Sequence, residues 1–257
     1  MARDLDTTSD RPRFRLIAEA LRDDVTSGRL AEGTRLPSEA QLMSDFGAAR
    51  GTVRQALALL RAEGLISTEH GRGAFVRSRP PVRRIAHDRF ARRHRDEGKA
   101  AFLAEAEEQG VSPGVEVLHV GRAAAPQDVA QRLGTPKKER VLVRRRRYLA
   151  DGEPVELATS YLPWDIAGGT DIAKDNPGPG GIYARLEEAG HRLARFTEDV
   201  TARMPSPEEA RSLRLPAGTP VFELVRTAYD ESGRAVEVCD TVMAADRFVL
   251  TYELPAR

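Results

Sequence analysis

Arg50, Thr52 and Arg54 open an apolar-periodic stretch of the sequence. On a helix, two arginines four residues apart share one face, while Val53 and Leu57 turn the other way toward a core. A guanidinium at the first turn of a helix lying in the major groove makes paired bonds to guanine O6 and N7, so this spacing is suited to duplex DNA. Ser38 heads a preceding stretch, Ser38-Glu39-Ala40-Gln41. It reads as the cap of a helix whose exposed amides and dipole suit a phosphate, and Gln41 stands where its amide closes a capping box. His70-Gly71-Arg72 adds a third element. Gly71 lets the backbone approach DNA closely and Arg72 reaches a phosphate or the minor groove. Taken singly, these arginines read more readily as a solvated face; their order along the chain is what favours DNA.

A second group, Arg144 to Arg147, lies mid-strand. Period-2 alternation sends Arg145 and Arg147 to one face and Arg144, Arg146 and Tyr148 to the other. One of the two faces binds something, or the arginines are solvated or paired with acids such as Glu153 and Glu156. Other chemistries find no support. His70, His87, His94, His119 and His191 lack metal-ligand spacing, and neither a nucleophile elbow nor a phosphate loop is present. No metal, cofactor or catalytic group is expected. The lone Cys239 has no partner for a disulfide, which fits a reducing compartment and simple packing.

The elements that position these residues are legible. Phe14, Ile17, Ala18, Leu21 and Val25 form the stripe of an amphipathic helix over 13–28, ending at Gly28. A short helix runs from Ser38 to about Phe46. Gly47 breaks it, and a third helix follows through Val53, Ala56, Leu57 and Leu60 until Gly64. Leu65–Thr68 and Ala74–Val76 read as two strands joined by a glycine-containing hairpin, a wing. From Arg77 to Lys99 the chain is an arginine-rich connector. Beyond it, an internal repeat at an offset of 81 residues matches Val141, Val143, Arg145, Tyr148, Gly152, Val155 and Glu156 with Phe222, Leu224, Arg226, Tyr229, Gly233, Val236 and Glu237. Each copy reads as a short helix, a strand, a turn and a second strand, and two such hairpins pair into one antiparallel sheet. Between them a helix spans 181–190, preceded by the Gly- and Pro-rich run 175–180, a loop suited to lidding a pocket.

The whole chain has 257 residues, with 40 Lys+Arg against 39 Asp+Glu. That balance conceals a division, because residues 1–99 hold 20 basic against 14 acidic side chains and the remainder 20 against 25. A basic head therefore precedes an acidic body. Apolar residues make up 40% and charged residues 31%, ordinary for a soluble globular protein. No run approaches the roughly 20 apolar residues of a membrane span, and 1–10 is polar and acidic, so a cytoplasmic protein is expected.

The stretches Gly28 to Glu39, Thr52 to Leu57, Glu63 to Ile66 and Gly71 to Val76 resemble the GntR winged-helix regulators. Residues 97–255 are similar, more loosely, to the UTRA effector domain of the HutC subgroup, through Asp151-Gly152-Glu153-Pro154, Tyr161-Leu162-Pro163, Ile182 to Leu186 and Arg226 to Glu237. The resemblance implies an α+β protein: a winged helix-turn-helix over 1–80, a basic linker over 81–98, and a chorismate-lyase-like antiparallel sheet over 99–257. It implies a homodimeric repressor that binds a short palindromic operator in double-stranded DNA and is released by a small-molecule effector. It carries DNA contact onto Arg50, Thr52, Arg54, His70 and Gly71.

Two departures stand out. Ala40 replaces the arginine usual after Pro-Ser-Glu, and Ala48-Ala49 replaces the Val-Ser usual before the recognition-helix arginine, removing a cap at a cost of about 1 kcal/mol. Relatives that sense sugar phosphates bind the phosphate with arginines here, assisted by a Glu and a Ser at positions taken by Ala158 and Gly181. The effector is therefore expected to differ from a simple sugar phosphate. Arg145, Arg146, Tyr148, Tyr183 and Glu237 are the candidate pocket residues.

Overall fold

The computed structural model describes residues 11–69, 71–77, 82–85, 101–136 and 138–253. The chain divides into two compact units, Met1–Arg79 with Pro216–Thr219 and Pro80–Leu215 with Pro220–Arg257.

The first unit has three helices, α1 (Arg13–Thr26), α2 (Glu39–Phe46) and α3 (Arg50–Ala62), and a hairpin of β1 (Ile66–Glu69) and β2 (Gly73–Val76). Its core is made by the stripes that periodicity selects: Ile17 and Leu21 from α1, Leu42 and Phe46 from α2, Val53, Ala56 and Leu60 from α3, and Ile66 and Val76 from the wing. Full burial of each large side chain contributes about 1.5–3 kcal/mol. Gly47, at φ 55°, lies in the left-handed region that favours glycine, and there the chain leaves α2. Arg13 Nη2 donates to the Phe46 carbonyl at 3.0 Å, satisfying one carbonyl at that helix end.

The second unit contains a six-stranded antiparallel sheet built from β4 (Pro113–Ala124), β5 (Arg140–Ala150), β6 (Glu153–Leu162), β7 (Leu193–Arg203), β8 (Val221–Asp230) and β9 (Ala235–Ala244), in the order β4-β5-β6-β9-β8-β7. The two expected hairpins join through β6 and β9. The repeat is longer than the sequence reading has it. A helix and an outer strand precede each hairpin: α4 (Ala101–Glu108) with β4, and α7 (Gly181–Glu188) with β7. Short helices α5 (Gln127–Leu133) and α8 (Pro207–Ser212) link each outer strand to its hairpin, and α6 (Trp164–Ala167) follows the first copy. Ser206 and Glu209 make a complete capping box on α8, which the sequence reading overlooks.

The matching of the two copies also needs correction. Tyr148 pairs with Glu156 across the first hairpin, a separation of eight positions, but Ala228 pairs with Glu237 across the second, a separation of nine. The offset is thus 80 before the turn and 81 after it. Asp230 holds the extra residue: its Oδ1 accepts from the Ser232 amide at 3.0 Å, the Ser232 hydroxyl at 2.6 Å and the Arg234 amide at 3.0 Å. A slip of one residue exchanges the faces of a strand. Arg226 is therefore the counterpart of Arg146, not of Arg145.

One face of the sheet carries Leu142, Arg144, Arg146, Tyr148, Leu224 and Arg226 toward α4 and α7. The other carries Val141, Val143, Tyr161 and Val238, packed with Val129 and Leu133 of α5. Within the stretch expected to be connector, Val82–Ile85 forms a further strand, β3, paired in parallel with β10 (Phe248–Thr251). Alternation places Val82 and Arg84 inward, and Arg84 is buried because Glu198, 114 residues away, meets it.

Candidate functional site

On the first unit, Arg50 and Arg54 stand exposed on one face of α3, opposite the buried Val53 and Leu57. Both guanidiniums are gathered by one carboxylate. Glu39 at the start of α2 takes Arg54 Nε at 3.0 Å and Arg50 Nε at 3.2 Å. Glu39 is a residue that sequence reasoning left in the motif without a role, since a contact across 15 positions has no local signal. Thr52 is half-buried on the same turn and Ser38 is exposed. The Ser38 hydroxyl accepts from the Gln41 amide at 3.2 Å, but the Gln41 side chain donates to Asp45 at 2.8 Å instead of closing the box, so only half of that cap forms. Ala49 caps α3 with no side-chain bond, as its type dictates. At the wing tip Gly71 adopts φ 74°, and Arg72 is exposed, paired with Glu69 and 5.7 Å from the Phe75 ring centre. His70 lies outside the described residues.

The second unit contains a cavity of about 390 Å³ lined by α4, α7 and the sheet. Both halves of the repeat contribute to its wall: Phe102 and Leu103 from α4, Tyr183 from α7, Arg144, Arg146 and Tyr148 from β5, Arg226 from β8, Glu156 from β6 and Glu237 from β9. Four of the expected pocket residues, Arg146, Tyr148, Tyr183 and Glu237, therefore meet in one place. Arg145 does not; it is exposed on the opposite face because β5 alternates. Further polar groups of the wall, Arg144, Glu156, Asp175, Asn176, Arg226 and Thr241, lie outside the expected set. The repeat, matched with the one-residue slip, would have found Arg226.

The wall groups differ in how they are held. Arg226 Nε donates to the Tyr183 hydroxyl at 3.0 Å, which donates to Glu237 Oε2 at 2.5 Å. Burial, the largest influence, holds the Tyr183 phenol well above the usual tyrosine range, so it stays neutral and remains a donor. Arg146 Nη2 donates to the Ser160 hydroxyl, and its Nε has no partner among the described residues. Glu156 is 1% exposed, and its Oε2 likewise has no hydrogen-bond partner there. Arg144 is buried and ties the wall to the loop before α7: its guanidinium donates to the carbonyls of Ile172, Lys174 and Asp175, the last at 2.9 Å. Burial first, then the neighbouring Arg146, bring Arg144 down to about 10, still protonated at neutral pH. The loop that Arg144 grips continues through Asn176, Pro177, Gly178 and Gly180, all on the cavity wall. Phe102 closes another side against Tyr148, with ring centres 4.7 Å apart. Three guanidiniums and three carboxylates, Glu156, Glu237 and Asp175, line the cavity, and with Arg146 Nε and Glu156 Oε2 unbonded among the described residues the wall suits a ligand with an acceptor for Arg146 and a donor for Glu156.

Among the described residues no group of His, Cys, Asp or Glu is arranged to hold a metal ion, and no helix is long and apolar enough to cross a membrane. Comparison with known proteins assigns both units. Residues 15–76 match the model for bacterial regulatory proteins of the gntR family, and residues 108–249 match the UTRA domain. An HTH-type transcriptional regulator of Streptomyces coelicolor is 32% identical, over 94% of this chain and 92% of its own. The HTH-type transcriptional repressor NagR of Bacillus subtilis is 27% identical, over 94% of each. The crystal structure of PhnF from Mycobacterium smegmatis superposes with a TM-score of 0.60 at 26% identity, covering 94% of this chain and all of that one. A GntR-family regulator of known structure gives 0.65 at 32% identity, covering 96% and 99%. The relatives are regulators of transcription rather than enzymes. With a winged helix matching one family model and a sheet domain matching the other, the chain belongs to the GntR family of transcriptional regulators and carries a UTRA domain.

Proposed function

We propose that this protein is a ligand-responsive repressor that binds a short palindromic operator as a homodimer and releases it when a small molecule enters the cavity. One observation carries the reading: the chain joins an exposed, carboxylate-aligned arginine pair on α3 to a cavity with unsatisfied polar groups. Residues 1–80 supply DNA contact through Ser38, Arg50, Thr52, Arg54, His70, Gly71 and Arg72. Residues 99–257 bind the effector through Arg146, Tyr148, Tyr183 and Glu237, joined by Arg144, Glu156 and Arg226, and hold two copies together. The basic stretch 81–98 links them, its first residues built into the second unit as β3, and the protein acts where the DNA is, in the cytoplasm.

The effector is an organic acid or ester that also carries an amine or hydroxyl. Relief of repression requires it to prefer the state that does not bind DNA, by an amount equal to the coupling free energy. NagR and PhnF are named as repressors, which supports repression as the output.

The test is binding to operator DNA selected from a random-sequence pool. Arg50→Ala and Arg54→Ala each weaken specific binding by about 1–3 kcal/mol, read by fluorescence anisotropy. Unchanged affinity in both would exclude α3 as the reading helix. A metabolite library screened by thermal shift identifies the effector through the stability it adds, and Arg146→Ala abolishes that shift. For the dimer, residues 1–80 alone bind weakly and regain affinity when fused to an unrelated dimerising segment.

A further inference from the structure

A second set of buried charges adjoins the cavity. Arg84 on β3 has 2% of its side chain exposed and Glu198 on β7 has 9%, and the two are hydrogen bonded. Glu198 stands directly opposite Arg226 in the pairing of β7 with β8. Its Oε1 is shared: Arg84 Nη2 binds it, and Arg226 Nη1 approaches it to 3.7 Å. The other oxygen, Oε2, accepts from the Tyr252 hydroxyl at 3.2 Å. Arg226 is also the cavity residue that bonds Tyr183. A continuous chain of side chains, Tyr183 to Arg226 to Glu198 to Arg84, therefore runs from the cavity wall to β3. In the sequence β3 follows the wing directly, with only residues 77–81 between Val76 and Val82.

We propose that this ionic chain couples the state of the cavity to β3, with Glu198 as a positioning residue for which Arg226 and Arg84 compete. The proposal rests on reading the cavity as the effector site. A buried carboxylate oxygen bound by two guanidiniums gives up part of one bond as the other tightens. A ligand acid that draws Arg226 into the cavity leaves Oε1 to Arg84 and fixes β3 more firmly. A ligand that displaces the Tyr183 hydroxyl frees Arg226 to close on Glu198, which loosens β3. Other ties hold the strand as well: its four-residue pairing with β10, the Val82 amide donating to the Arg247 carbonyl at 3.3 Å, the burial of Val82 in the core, a bond from Arg83 to Thr251 at 3.1 Å, an approach of Arg84 Nη1 to Met243 Sδ at 3.9 Å, and the Gln109 amide, which brackets the Arg83 backbone and donates to its carbonyl at 2.8 Å. The Glu198 contact adds an ion pair on the strand's buried arginine. Coupling along such a chain is established only by measuring it.

Amide hydrogen exchange on the full-length protein without ligand makes that measurement. Glu198→Gln speeds exchange of the 82–85 amides about tenfold, and Arg226→Met slows it about threefold, because Oε1 then passes wholly to Arg84. In the Glu198→Gln background Arg226→Met leaves β3 unchanged. Amides of β5 and β6 report general loosening, so only a change confined to β3 counts in favour. An Arg226→Met effect of equal size in both backgrounds, or of none in either, overturns the proposal. Should Arg226→Met not fold, Arg226→Lys takes its place. Lysine removes the Nε donor but keeps the charge, and it shifts β3 in the same direction by less; no shift overturns the proposal. Because the cycle needs no effector, its outcome is separate from the ligand screen. A positive cycle with no responsive ligand sinks the effector reading alone, and a responsive ligand with a null cycle sinks the coupling alone.

Discussion

In the second half of the six-stranded sheet Arg226 and Glu237 are joined through the Tyr183 hydroxyl, whereas Arg146 and Glu156, at matching positions of the first half, have no such bridge. The helix ends show why. Val111 bonds back to Ala106 as His191 does to Leu186, an offset of 80, so the counterpart of Tyr183 is Leu103, which offers only methyl groups. One copy of the repeat satisfies its polar groups on one another. The other leaves Arg146 Nε and Glu156 Oε2 without a hydrogen-bond partner among the described residues. The same charges at equivalent places thus divide the labour of one cavity.

Substitutions that remove charge without changing shape expose this asymmetry most strongly. Glu237→Gln strips the carboxylate from Arg226 and Tyr183 and lowers stability by about 3 kcal/mol, whereas Glu156→Gln changes it by less than about 1 kcal/mol. Urea denaturation of the two variants side by side measures the difference, and equal losses would erase the distinction between the halves. Tyr183→Phe is milder. It removes one bridging hydroxyl, costs about 1–2 kcal/mol in the same assay, and makes the second half resemble the first.

The smallest effect lies on the face of the sheet turned away from the cavity. Burial first, then Asp128 and Glu223, push Asp240 up to about 6. Its folded carboxyl holds a proton more tightly than the unfolded one, so stability falls as pH rises from about 4 through about 6 and stays lower above that. Asp240→Asn therefore stabilises the protein at pH 7 by about 1 kcal/mol after discounting for partial exposure, and the gain disappears near pH 4 in thermal melts. A gain that persists at pH 4 would assign the effect to packing and not to charge.

The winged helix was legible because its determinants are local. The stripe from Val53 to Leu60, the break at Gly47 and the bare cap at Ala49 all act within a few residues. The cavity was legible in part. Alternation alone grouped Arg146 with Tyr148, but chain separation hid what those residues meet. Arg226 was masked by the extra residue that Asp230 holds in the second turn, a backbone detail that inverts a strand without altering its composition. β3 was masked for a different reason. Val82-Arg83-Arg84-Ile85 reads as charged connector until Glu198 arrives from 114 positions away to neutralise Arg84. Edge strand β4, with Val115, Val117 and Leu118 partly in solvent, lacks the clean alternation of a half-buried strand and was not foreseen.

Arg144 holds the cavity's loop entirely by main-chain carbonyls, those of Ile172, Lys174 and Asp175. Every amino acid supplies the same carbonyl, so the grip places no demand on which side chains the loop presents. Exposed side chains of the loop can therefore change without loosening that hold, whereas the fully buried Ile172 and the left-handed Gly178 and Gly180 are fixed by their own places in the fold.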